Sequence, residues 1–193
     1  MDKYEMILTA ERQFAREVTL GVIVSRPLSV WHYLIPGMFI IDFLRRNSAI
    51  REYSKHFMFP RKLAIDAARD LSMDYDTGSV HSRIDSETTH WLTSLNLYSE
   101  KLISTQKAAI DVLIAHYEKL LMAEGESYYE LIQNAYPSRT LYENHINQLT
   151  EAENEVDRAL VEKLGESDVL KEKLQLEAQQ VTLRRRKILE DIF

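Results

Sequence analysis

The chain has 193 residues, a net charge of −6 and no cysteine, which excludes disulfides, thiolate zinc sites and thiol nucleophiles together. Five Gly and four Pro over that length argue for long helices and against a sandwich or barrel. The acidic balance makes nucleic acid an unexpected partner.

The charge is unevenly placed. Residues 1–70 hold 11 Lys and Arg against 8 Asp and Glu, or +3, whereas residues 71–193 hold 13 against 22, or −9. The N-terminal MDKYEMILTAERQF is polar and mixed in sign, unlike a signal peptide. With no Cys present, the expected location is cytoplasmic, peripheral to the inner membrane if the apolar segment described below faces lipid.

Taken in chain order, residues 3–24 have helical spacing, with Tyr4, Ile7, Leu8, Ala15, Val18 and Val22 on one side. Arg26-Pro27 stops that helix, because proline disfavours the helical conformation of its predecessor. A short apolar turn from Ser29 to Ile35 follows. Pro36 suits the first turn of a second helix running to Phe57, and Pro60 the first turn of a third running to Met73. Asp74-Tyr-Asp-Thr-Gly-Ser reads as a loop, extended here over 74–85.

From Ser86 to Gly125 the spacing predicts one very long helix, with Trp91, Leu95, Tyr98, Leu102, Thr105, Ala109, Val112 and His116 forming a seam. A short helix, Tyr128 to Ala135, ends before Pro137. The last two helices, Ser138–Leu164 and Ser167–Ile192, form an αα-hairpin around Gly165. The expected fold is therefore all-α: a long antiparallel helical bundle of three long helices, near 86–124, 138–164 and 167–192, with an N-terminal group of apolar helices. Residues 1–73 form the locally basic part and 86–193 the acidic part, either separate or one cooperative unit. The chain resembles ferritin-like and spectrin-like bundles only in being long-helical, which implies architecture and no function.

Between Glu17 and Asp42 the chain carries one formal charge, Arg26, and so uncharged a run must be shielded from water by a core, a partner or a lipid surface. Arg26, Pro27, Pro36 and Gly37 break it too often for a simple membrane-spanning helix. Trp31 and Tyr33 are interface-seeking types, Phe39 and Phe43 continue the apolar face, and Arg45, Arg46, Arg51 and Lys55 follow as a basic collar suited to anionic headgroups.

Other constellations are weaker. Glu87-Thr-Thr-His90 places a carboxylate and an imidazole on one side of a helix, but di-iron bundles use two such pairs, and Glu52 with His56, or Glu143 with His145, does not restore the pattern. Asp74, Asp76, Gly78, Val80, Ser82 and Asp85 have the spacing of a calcium loop. Ser79 and Asp85 replace its usual Gly and Glu, and an Asp-rich turn is the simpler reading. No phosphate loop, dinucleotide fingerprint or nucleophile elbow occurs. Arg184-Arg-Arg-Lys187 is expected to pair with acids of the facing helix, such as Glu151, Glu153 or Glu155.

The function these features suggest is that of a non-enzymatic helical interaction or scaffold protein. It would associate with a protein partner, a second copy of itself or an anionic membrane surface through residues 27–62, without a cofactor. The alternative is a metal-binding bundle of ferritin-like di-iron type, with a redox or storage role, starting from Glu87 and His90.

Overall fold

The computed structural model describes residues 2–24 and 38–193, with the side chains of 24, 38–47 and 49 outside the description. It is all-α, 87% helical, and no strand occurs among the described residues. Among the described residues seven helices follow in order: α1 Lys3–Val24, α2 Met38–Ser72, α3 Thr77–Ser94, α4 Glu100–Met122, α5 Tyr128–Ala135, α6 Arg139–Leu164 and α7 Asp168–Ile192.

Each helix from α3 onward begins at a short polar side chain that satisfies an orphan backbone N–H. Asp76 accepts from Ser79 N, Ser99 from Leu102 N, Ser127 from Glu130 N, Ser138 from Leu141 N and Ser167 from Leu170 N. Repetition of this device explains why α5, α6 and α7 start where their sequences predict. Gly165, at φ +82°, ends α6.

Three expected elements differ. The helices expected at Pro36–Phe57 and Pro60–Met73 are one continuous helix with Pro60 inside it. Proline removes one backbone bond, but the buried residues on its C-terminal side, Arg61 and Leu63 to Ile65, hold the helix through the defect. The loop expected over 74–85 shrinks to the turn before Thr77, because Asp76 caps α3 there. Val80, Ser82 and Asp85 are consequently helical and do not form a calcium loop.

The single helix expected over 86–124 is two helices. α3 closes at Leu95, Asn96 takes φ +59°, and Ser99 caps α4 in extended conformation. Asn tolerates the left-handed region and serine prefers a cap to a helix interior, so the seam breaks where both occur within four residues. At its other end α4 stops at Met122, with Ala123 extended, so Gly125 is not the left-handed cap residue its position suggested.

Five helices close a ring in the order α1, α2, α4, α6, α7 and back to α1. Pairings along their lengths show the directions. Tyr4 meets Asp66 and Thr19 meets Ser54, so α1 and α2 are antiparallel. Lys101 pairs with Glu162 while His116 stacks on His145, so α4 and α6 are antiparallel as well. Glu153 with Arg185 and Tyr142 with Phe193, and Glu17 with Arg184 and Gly21 beside Gln180, set α7 antiparallel to both of its neighbours. α3 lies over α2 and α4, tied by Arg83–Asp70 at 2.5 Å and by the Lys107–Asp85 pair. α5 closes one end, where Gln133 donates to the carbonyl of Ile192, the last residue of α7, at 2.7 Å.

That closed end holds the main core. Ile7, Leu63, Ile65, Ile110, Leu120 and Leu131 are almost fully enclosed there, and the cluster draws on all seven helices. The opposite end has a much smaller cluster, Leu92, Leu102 and Ala159, with Phe59 stacked on Trp91 at 4.5 Å beside it.

Candidate functional site

Between the two ends the ring encloses charge. Arg61 of α2, only 5% exposed, donates to Glu11 of α1 at 3.1 Å and to Glu153 of α6 at 3.2 Å. Its guanidinium lies between two phenyl rings, 5.1 Å from Phe14 and 4.7 Å from Phe57. Arg185 of α7 forks onto Glu153 at 2.7 and 2.8 Å and reaches Thr150 Oγ1 at 3.0 Å. Burial pushes the Glu153 carboxyl up, but the two guanidiniums more than offset this and hold it below the usual range. Burial likewise opposes the charge on Arg61, and Glu11 with Glu153 more than restores it. The Tyr117 hydroxyl is wholly buried beside Glu11 and Arg61 yet makes no hydrogen bond of good geometry.

On the closed side of this network stands an aromatic group. His116 and His145 stack at 4.3 Å and 12°, and His116 Nδ1 shares a hydrogen bond of 2.8 Å with the Tyr136 hydroxyl. Both imidazoles are held neutral. Burial and then the neighbouring His145 and Arg61 lower His116, whereas burial, Arg185 and Lys119 bring His145 down to about 4.

On the open side a cavity of about 150 Å³ lies among α2, α4, α6 and α7. Glu153 and Arg185 form its floor; Asp157, Glu177, Gln106 and Phe57 are among its walls. Glu177 accepts a hydrogen bond from the Tyr53 hydroxyl, and burial followed by Glu153 raises its carboxyl. Asp157 has no hydrogen bond or ion pair with a described residue, and burial, Glu177 and Glu153 push it up to about 7. Gln106 is 7% exposed and its carboxamide makes no hydrogen bond to a described residue.

The site residues expected from sequence fall elsewhere. Trp31 and Tyr33 lie outside the described residues, as do the side chains of Phe39, Phe43, Arg45 and Arg46, whose backbone belongs to α2. Arg51 and Lys55 are exposed on α2 and make no ion pair with a described residue. Glu87 and His90 are exposed on α3. Among the described residues no group of three or more potential ligands gathers around a metal position. The basic block divides its arginines: Arg185 takes the expected Glu153, Arg184 turns to Glu17 at 3.2 Å, and Arg186 pairs along its own helix with Glu190.

The buried polar groups went unnoticed in the sequence, although a signal was present. Each interrupts an apolar row at four-residue spacing. Glu11 lies between Ile7 and Ala15, Gln106 between Leu102 and Ile110, and Arg185 between Val181 and Leu189, while Glu153 and Asp157 continue the row from Leu149. A charge on the inward side of a helix requires a partner from another helix, and here several supply one another.

The class defined by this geometry is an all-α helical bundle with a buried polar layer. Compared with known proteins, the chain matches no family model, no curated protein and no solved structure.

Proposed function

We propose that this is a non-enzymatic helical scaffold protein that rests on an anionic membrane surface at the cytoplasmic side, through residues 27–62. The observation carrying this reading is the placement of free cations after the uncharged run. One formal charge stands between Glu17 and Asp42, and Arg51 and Lys55 then project from α2 into solvent without ion-pair partners among the described residues. Exposed cations beside an apolar and aromatic segment favour headgroup contact, each contributing about 1 kcal/mol near an anionic surface. Among the described residues no helix is long and apolar enough to cross a membrane, which is compatible with in-plane contact. The polar layer supports a scaffold role, because charges on four helices are committed to holding those helices together.

Co-sedimentation tests the reading with vesicles of phosphatidylglycerol and phosphatidylcholine against phosphatidylcholine alone. The wild type should pellet with the anionic vesicles, and a variant carrying Arg45→Glu, Arg46→Glu and Arg51→Glu should remain soluble. Loss of three attractive contacts corresponds to at least about a hundredfold in affinity. A wild type that ignores both vesicles refutes the membrane surface. If it then scatters light as a stable dimer, the segment serves self-association instead.

A further inference from the structure

The open-side cavity has features that the scaffold reading leaves unused. Burying a carboxylate without a partner is unfavourable, and so is burying a carboxamide without one. Gln106, buried, and Asp157, half-buried, both stand in this space without a partner, and the floor offers them none, because Glu153 is already held by Arg61 and Arg185. Glu177 has one oxygen engaged by Tyr53 and faces the same space. The lining is therefore acidic in excess: Glu153, Asp157 and Glu177 against the single cation Arg185. Phe57, Ala109, Val156 and Val181 supply apolar wall. A volume of about 150 Å³ admits a molecule of about six heavy atoms.

We propose that this cavity binds a short aliphatic ammonium compound, its nitrogen between Asp157 and Glu177, its chain along the apolar wall and its far end at Gln106. An ammonium supplies up to three donors to acids that lack them, and its charge balances the acidic excess. A metal ion fits less well. Six to eight oxygen ligands are the rule for calcium, and no group of three potential ligand residues converges among the described residues.

The test is isothermal titration of the full-length chain with 1,4-diaminobutane and with butylamine, using 1,4-butanediol, calcium chloride and matched sodium chloride as controls. The amines should bind at pH 8 with a dissociation constant of about 1 mM or tighter, and the diol should not. Asp157→Asn removes an unpaired acid, so this variant should fold, as circular dichroism will verify, and should bind at least tenfold more weakly. Gln106→Leu should weaken only those amines with a polar far end.

Affinity should fall about tenfold between pH 8 and pH 6, because Asp157, pushed up to about 7, is mostly protonated at pH 6 and must give up its proton to solvent before it can pair with the ammonium. The groups around it are Glu153 on its own helix, Glu177 and Arg185 on α7, and Tyr53 on α2. Absence of heat and of thermal stabilisation with either amine at millimolar concentration overturns the proposal. So does equal binding by Asp157→Asn or by the diol, and the cavity would then hold water only.

Discussion

Arg61 joins three helices through one guanidinium, and its neighbours leave it no alternative to Glu11 and Glu153. Removing it strands the almost wholly buried Glu11 without a cation and leaves Glu153 with Arg185 alone. Breaking a buried pair in this way costs about 3–5 kcal/mol, far more than such a pair contributes over an apolar replacement of both partners. Arg61→Ala should therefore lower the unfolding free energy by about that amount in urea titration, and Arg186→Ala, an exposed pair, by less than about 1 kcal/mol. Equal losses in the two variants would show that the buried layer is not what holds α1, α2 and α6 together.

Protonation acts on the same layer from both sides. His145, brought down from 6.5 to about 4, is neutral in the fold and takes up a proton more readily when unfolded. Its contribution to stability is complete above 6.5 and is lost as pH falls toward 4. Asp157, pushed up from 3.8 to about 7, has the opposite sign: its contribution is complete below about 4 and is lost as pH rises through 7. Urea unfolding at pH 4.5 and pH 7.5 separates the two. Asp157→Asn should gain on the wild type as pH rises, and His145→Asn should gain on the wild type as pH falls. A parallel pH dependence in all three proteins contradicts both assignments.

At the level of elements, caps decide the boundaries. Gly165 stands at φ +82° and ψ 152°, a region that side chains rarely adopt, and a methyl group built on it would touch nothing within 4 Å. Gly165→Ala thus introduces backbone strain without a steric clash, and about 1–3 kcal/mol of destabilisation is expected in thermal or urea unfolding. Ser99→Ala removes the α4 cap and should cost about 1 kcal/mol. Hydrogen exchange should then show fraying confined to the first turn of α4, and fraying that spreads through α3 would mean that the two helices behave as one.

Across the whole molecule, the two ends differ in how well they are filled. The end closed by α5 contains the large core, whereas the end bearing the cavity has a small cluster and a set of inward-facing acids. Local opening should be more frequent at the cavity end, where less apolar surface is buried. Amides in the C-terminal half of α6 and the N-terminal half of α7 should accordingly exchange faster than those around Ile110 and Leu120. Glu11 within an apolar row was an interruption present in the sequence, and Glu153 was among the acids expected to meet the Arg184–Lys187 block, but the partner of Glu11 was not legible. Glu11 and Arg61 are fifty residues apart, and Arg185 finds Glu153 only because α6 and α7 run antiparallel in the required register.

By itself the amino-acid sequence determined the helical class, the starts of α5, α6 and α7, the α6–α7 hairpin and the uncharged run with its basic flank. These follow from local propensity, capping and spacing, which act within a few residues. Only the tertiary structure decided that α2 continues through Pro60, that five helices close into one ring, and that Asp157, Glu177 and Gln106 share a cavity. Those outcomes depend on burial against distant neighbours, and no short stretch of chain carries the free energy that selects them.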